Sequence, residues 1–342
     1  MELRNLASIA VASVLVLVPN TALAGEFPGD QCATEGQVVA LGGGAIKCIG
    51  GTWQPSQETP SSGSTGVSTV KQAKNFKLVG TALSAATFNS PDQQVADVTA
   101  IRLPNGNVKL FVYVANQFIR SATSTNKSGT SFVADSTSIL SGTAAGQPRV
   151  ISLGGNSMRL FYLEGGNINA AISNDGGVTF TKEGPVITTA QAGFEPGGLT
   201  VIKQGGGYRG YFSNLEKPGE RAFRVMRTAT SKDMINWSMG PEITGASGTI
   251  KDGGSHPFAV IDKKGKIALY YAGDRGSFYG ILVSTSKNGV TFSNEKSVIT
   301  GGGDPDILPT GKTSGLMYYG ADLGSGLGFG INVAKSTGNI VP

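Results

Sequence analysis

Five stretches of this chain share one internal register, and that repeat limits the fold more than any other feature. They read "VADVTAI", "AGQPRVI", "GFEPGGL", "GSHPFAV" and "GGDPDIL". Each centres on one polar position: Asp97, Gln147, Glu195, His256 or Asp304. Proline follows four of the five, and Val98 follows the first. Thirteen residues beyond each position stands a bulky apolar or aromatic residue: Leu110, Leu160, Tyr208, Leu269 and Met317. The polar positions are 50, 48, 61 and 48 residues apart. A period of this length with a constant internal offset marks a repeat architecture, in which each unit buries its apolar face against the next.

A second repeat lies inside the first. It reads "SNDGGVTF" (Ser173 to Phe180), "SKDMINW" (Ser231 to Trp237), "SKNGVTF" (Ser286 to Phe292) and, more loosely, "STNKSGTSF" (Ser124 to Phe132). Physically this is a hairpin turn. The Asp or Asn side chain folds onto the backbone, Gly supplies a positive φ, and the closing aromatic packs between sheets. The motif resembles the Asp-box of sialidase-type β-propellers, and its role is structural. Each turn leads into a short strand ending in Ile or Leu, as in "FTKEGPVIT". Four strands per repeat, five repeats over, predict an all-β, five-bladed propeller. The last copy stops after a third strand, "GFGINVAKSTGNIVP". The stretch "NFKLVGTALS" (Asn75 to Ser84) has the pattern of the missing fourth strand. It is expected to complete blade five, close the circle and remove an exposed edge.

The geometry of a four-stranded antiparallel blade then sets expectations for a site. The first strand is innermost and lines the central channel. Its start shares one face with the loop between the second and third strands, and the repeated turns lie on the opposite face. Asp97, Gln147, Glu195, His256 and Asp304 are therefore expected around the channel mouth. Arg149 and Asp306, two residues further along their strands, should point the same way because side chains alternate. Facing loops add Asn116, Gln117, Glu164, Arg221, Asp274, Arg275 and Asp322, with "SNLEKPGERAF" in blade three long enough to wall the site.

The N-terminal region reads as something separate. "MELRNLASIAVASVLVLVPNTALAGE" carries Arg4, an apolar run from about Ala7 to Val18, and Ala22-Leu23-Ala24 as a cleavage site, so residues 1–24 read as an export signal. The apolar run is short for a span, and no later stretch of spanning length follows, so no membrane span is expected after cleavage. Secretion, a periplasmic location or display at a cell surface is expected. Cys32 and Cys48 are the only cysteines, and in an oxidising compartment two cysteines closing a short loop should pair. Residues 25–54 then form a small stapled module, residues 55–73 a Pro/Ser/Gly/Thr linker, and residues 74–342 the propeller. The net charge of +5 is spread without a basic run or an interleaved aromatic stripe, which argues against a nucleic-acid partner. A monomer is expected.

A five-bladed propeller with acidic residues at the blade starts resembles the glycoside hydrolases of the arabinanase/xylosidase and invertase/levansucrase type, families 43, 32, 62 and 68. The resemblance covers about Asn75 to Pro342. It implies a carbohydrate ligand or polysaccharide, an Asp as base or nucleophile, a second Asp that orients, and a Glu as acid. Asp97 matches the first of these and Glu195 is the candidate acid. Gln147 stands in blade two, and the next Asp in register is Asp304 in blade five, so the family order is not reproduced. The resemblance further implies that His256, the chain's only histidine, helps to hold Ca2+ or another cation, or a water cluster, in the channel. The alternative for His256 is a hydrogen-bonded plug. Gln147, Arg149, His256, Asp306, Arg221 and Arg275 are expected to bind substrate, and Asp97, Glu195 and Asp304 to carry catalysis. Two functions follow: a secreted glycosidase, or a glycan-binding or adhesin-like propeller without turnover. A six-bladed sialidase fits less well, because the repeat count is five and no arginine triad marks the blade starts.

Overall fold

Each repeat folds into an antiparallel meander whose second strand is buried on both faces, so that each blade needs a neighbour on either side. Blade one consists of Val95–Arg102, Val108–Val114, Phe118–Ser124 and Phe132–Ser138. Blade two consists of Gly146–Gly154, Ser157–Glu164, Asn167–Ser173 and Thr181–Ile187. Blade three consists of Pro196–Gln204, Gly207–Asn214, Met226–Ser231 and Trp237–Glu242. Blade four consists of Gly254–Ile261, Ile267–Asp274, Tyr279–Ser286 and Thr291–Thr300. Blade five has Gly303–Pro309, Gly315–Asp322 and Phe329–Ser336, and its outer strand is Phe76–Leu83, antiparallel to Phe329–Ser336. The closing strand expected from the sequence is therefore in place. This computed structural model describes residues 35, 38–41, 44–56, 71–73, 75–90, 94–140, 144–214, 225–245, 254–274, 278–324 and 327–342.

The blades are joined by one recurrent contact. The second strand of every blade carries a fully buried aromatic residue: Phe111, Phe161, Tyr211, Tyr270 and Tyr318. Each meets, edge to face, the aromatic that opens the outer strand of the next blade or closes the turn before it. The pairs are Phe111–Phe180, Phe161–Trp237, Tyr211–Phe292, Tyr270–Phe76 and Tyr318–Phe132, with ring centroids between 5.6 and 6.4 Å apart. Phe76 thus does for blade five what the turn aromatics do elsewhere. The turn backbones fit the same rings. Tyr318 donates to the Gly129 carbonyl at 2.7 Å and Tyr211 to the Gly289 carbonyl at 3.1 Å. Gly177, at φ 76°, leaves so little room that an added Cβ would lie 2.7 Å from Cζ of Phe111.

The turns hold themselves shut through the Asp or Asn. Asp175 accepts from the Val178 and Thr179 amides at 3.0 Å each, and Asn288 accepts from the Val290 and Thr291 amides at 2.9 Å. Against a burial penalty, the bonds from Thr179, Ser173 and Val178 hold the Asp175 carboxyl far below the usual carboxylate range. A carboxylate occupied in this way is a structural group.

Two short segments differ from expectation. Lys71–Gln72, expected within the linker, pairs in parallel with Lys296–Ser297 on the outer strand of blade four. Thr244–Gly245 pairs with Thr291–Phe292 of that strand. An open strand edge is a hydrogen-bonding template, and both segments satisfy part of it. Further upstream, Val38–Leu41, Gly44–Ile49 and Thr52–Ser56 form a three-stranded meander, so the expected linker's first residues, Pro55 and Ser56, end a strand. Cys48 is buried in this meander, and Cys32 lies outside the described residues, as do residues 1–24. Among the described residues no helix is long and apolar enough to cross a membrane.

The closing strand yields a prediction. A chain beginning at Lys71 should melt within a few degrees of the full-length protein. A chain beginning at Ala85 loses the Phe76–Tyr270 contact and the blade-five edge. It should melt lower by at least about 10 °C, since each kcal/mol is worth about 2–4 °C in a domain of this size. Equal melting of the two, read by circular dichroism, would show that closure is dispensable.

Candidate functional site

The innermost strands all begin with the same irregularity. Pairing with the second strand skips between Ala96 and Thr99, Gly146 and Arg149, Gly197 and Thr200, Ser255 and Phe258, and Gly303 and Asp306. Each skip is a β-bulge, and bulges re-aim side chains next to sites. The first bulged residue is left-handed in every blade: Asp97 at φ 53°, Gln147 at 48°, Gly198 at 66°, His256 at 50° and Asp304 at 49°. For a residue with a Cβ this costs about 1–2 kcal/mol, and four of the five positions bear it.

Blade three corrects the expected register. Its mouth position is Gly198, not Glu195; the residue that stands where Leu110 and Leu160 do is Gly210, not Tyr208, and Tyr211 matches Phe111 and Phe161. The Glu195-Pro196 dipeptide imitates the polar-Pro pairs of blades two, four and five, but the bulge forms at Gly198-Leu199. The hairpin that follows turns on Gly205 and Gly206 and is one residue shorter between paired positions: Thr200 faces Tyr211, while Thr99 faces Phe111.

The missing side chain at Gly198 shapes the mouth. A Cβ there would lie 3.7 Å from His256 Cα and 4.0 Å from Gln147 Oε1. Above it, Gln147 of blade two and His256 of blade four meet directly, Nε2 to Nε2, at 3.1 Å. The other imidazole nitrogen, Nδ1, lies 3.1 Å from Asp304 Oδ1 and 3.3 Å from Ser255 Oγ. Nε2 is 3.5 Å from Asp97 Oδ1. A proton on Nδ1, donated to Asp304, leaves Nε2 as acceptor for the Gln147 amide, so one tautomer satisfies both contacts. His256 is therefore the hub of the mouth, bonded to blades two and five and set beside Asp97 of blade one. Its backbone amide donates to Ser213 Oγ at 3.4 Å, a partner with no signal in the sequence.

The electrostatics follow from crowding. Burial raises the Asp97 carboxyl to about 6; the charge of Asp304 adds to the rise, while His256 and Arg149 oppose it. Asp97, His256 and Asp304 each offer a ligand atom within 4.8 Å of the others, and Gln147 Oε1 has no hydrogen-bond partner. Two carboxylates, an imidazole and an amide oxygen suit a divalent cation, so these residues fit the ion that the resemblance implies.

Arg149 and Asp306 do not reach the mouth. They occupy the layer below it with Thr99, Thr200 and Phe258, and are 3% and 1% exposed, too buried for the expected contact with substrate there. Thr99 donates to Asp306 Oδ2 at 2.8 Å and accepts from the Val150 amide at 3.1 Å, linking blades five, one and two. Glu195 lies on the blade-start side but outside the cluster, half-buried, beside blade two's Gly165-Gly166 turn: its Oε1 would sit 3.6 Å from a Cβ on Gly166. Glu164 of that blade turns away to Lys182, at 3.2 Å. Arg221 and Arg275 lie outside the described residues.

No protein-family model and no curated protein sequence matches the chain. Solved structures do match its fold. An endo-1,4-beta-xylanase from Bacteroides thetaiotaomicron aligns with a TM-score of 0.55 at 11% identity, over 78% of this chain and 98% of that one. An N-acetylgalactosamine deacetylase from F. plautii, in complex with blood group B trisaccharide, aligns with a TM-score of 0.55 at 13% identity, over 79% and 96%. The GH43_1 enzyme from Xanthomonas citri, complexed with xylose, aligns with a TM-score of 0.54 at 15% identity, over 75% and 90%. At these identities the likeness is one of fold: the chain shares the five-bladed propeller of these carbohydrate-active proteins.

The buried carboxyl in the layer below generates a pH prediction. Burial pushes Asp306 up to about 7, against the opposing pull of Arg149 and Thr99. A folded-state value above the unfolded one means that the folded protein binds the extra proton, so stability falls as pH rises from about 4 through 7. Asp306→Asn keeps an acceptor for Thr99 and carries no charge. It should be more stable than the wild type at pH 8, by up to about 4 kcal/mol, with the gap closing towards pH 5. A pH-independent difference in scanning calorimetry would contradict this.

Proposed function

We propose that this propeller is a carbohydrate-active protein, a glycoside hydrolase working at the channel mouth with Asp97 as base and Glu195 as acid. One observation carries the reading: ionisable side chains from blades one, four and five converge on one mouth, with the Asp97 carboxyl raised to about 6. A base of that strength is about half ionised near pH 6 and takes a proton from water at neutral pH. Hydrolysis needs a second carboxyl on the far side of the scissile bond. Glu195, outside the central cluster on the same side of the propeller, supplies it. As the water oxygen bonds to the anomeric carbon, the bond to the leaving oxygen breaks; Asp97 accepts the water's proton and Glu195 protonates the leaving group. His256, held by Asp304 and Gln147, walls the base. A divalent cation, where bound, would be held by His256, Asp304 and Gln147 and would supply positive charge beside the base.

A second reading is a glycan-binding or adhesin-like propeller without turnover. It is favoured by the mouth itself, where blades two and three contribute Gln147 and Gly198 in place of carboxylates. For either reading we further propose export of the chain with loss of residues 1–24, and a disulfide between Cys32 and Cys48 in the N-terminal meander. The Ser-x-Asp turns are proposed to be Asp-boxes, the module, linker and propeller to divide near residues 54 and 73, and the protein to act as a monomer.

A panel of aryl glycosides and of plant and microbial polysaccharides, scored for both binding and release, tests the proposal. With a substrate identified, Asp97→Asn and Glu195→Gln should each lower kcat by about 10²–10⁴-fold while binding persists. Wild-type turnover should fall as pH drops through about 6, where Asp97 takes up its proton. Binding without release across the panel would select the lectin-like reading.

A further inference from the structure

Two buried arginines of blade two differ in what they meet. Arg159 grips the Glu183 carboxylate with two bonds of 2.7 Å, the usual way to compensate a buried cation. Arg149, more deeply buried, donates Nη1 to two backbone carbonyls: Val98 at 2.8 Å and Pro148 at 3.4 Å. Its Nε and Nη2 have no hydrogen-bond partner. A charge buried on such terms is expensive, and it weakens a fold that an apolar side chain of similar volume would serve as well.

The carbonyl it holds explains the placement. Val98 is the second residue of the blade-one bulge, immediately after left-handed Asp97. On the far side of Val98, Thr99 is held by Asp306 from blade five and by the Val150 amide from blade two. Two seams thus clamp the backbone that aims Asp97, and among the described residues the guanidinium is the cationic group in the clamp. We infer that Arg149 is a positioning residue for Asp97, holding the blade-one bulge through the Val98 carbonyl and setting positive charge beneath the carboxylate. The inference rests on the reading of Asp97 as the working base.

The chain's single histidine supplies a direct readout. His256 stands 3.5 Å from Asp97, and its ring signals in a carbon–proton correlation spectrum need no assignment. Full-length wild-type, Arg149→Met, Arg149→Lys, Asp97→Asn and, as a distant surface control, Lys182→Met proteins are compared at one pH. Arg149→Met should fold with melting close to wild type, because an apolar replacement of a buried ion is often neutral. Its His256 signals should move in the direction seen for Asp97→Asn, and Lys182→Met should leave them in place. Where a substrate is turned over, kcat should fall about 10- to 100-fold with KM little changed, the cost of a misplaced catalytic group. Arg149→Lys, which keeps the charge and can still reach a carbonyl, should recover part of both effects, and it serves as the test should Arg149→Met fail to fold. Wild-type His256 signals in both variants would overturn the inference whatever the activity. Displaced signals in a protein that cleaves no glycoside would uphold the positioning role and sink the hydrolase reading instead.

Discussion

The edge-to-face contact between blades is the interaction on which everything else in this molecule depends. A single four-stranded meander with two apolar faces has no stable existence in water. The propeller solves this by repeating one contact five times, a buried ring from the second strand of one blade against the aromatic at the start of the next blade's outer strand. Each such pair is worth about 0.5–1.5 kcal/mol beyond the area it buries. Its geometric effect matters more. Because the pairs are alike, successive blades turn through similar angles and the fifth meets the first. The N-terminal strand is part of this logic: without Phe76, the ring of Tyr270 would face no aromatic partner.

A circle of equivalent blades brings five bulges to one mouth. The bulges are strained, and four side chains hold left-handed backbone that glycine would adopt freely. The strain is repaid where those side chains meet. His256 touches groups from blades one, two and five because the bulges aim them inward and because blade three, with Gly198, places nothing in the way. One absent side chain therefore decides that the mouth has a single hub instead of five independent spokes.

Beneath the mouth lies a layer of different character. Thr99, Arg149 and Asp306 are sealed from solvent, and the arginine and the aspartate each keep a polar atom without a partner, which destabilises the fold locally. The same layer fixes the backbone under Asp97. Stability given up there accompanies a fixed backbone beneath Asp97, the mouth carboxylate whose affinity for its proton is raised.

Much of the architecture was legible in the residue order, because repeats report on themselves. The spacing from Asp97 to Leu110 and from His256 to Leu269, and the Ser-x-Asp turns, specify blade number, strand order and the closing role of Asn75 to Ser84 without any knowledge of packing. So did the meeting of Asp97, His256 and Asp304, since equal register in equal blades means equal height in the channel. What failed was local. Pro196 made Glu195 look equivalent to Gln147 and His256, whereas a bulge is set by pairing with the neighbouring strand, and that pairing placed it at Gly198. Alternation placed Arg149 and Asp306 at the mouth, whereas in the closed ring they are buried against the neighbouring blades, Arg149 on the Val98 carbonyl and Asp306 on Thr99. The Gln147–His256 and Val98–Arg149 contacts join residues 109 and 51 positions apart. Those separations come from the curvature of the whole circle, which no single stretch of sequence contains.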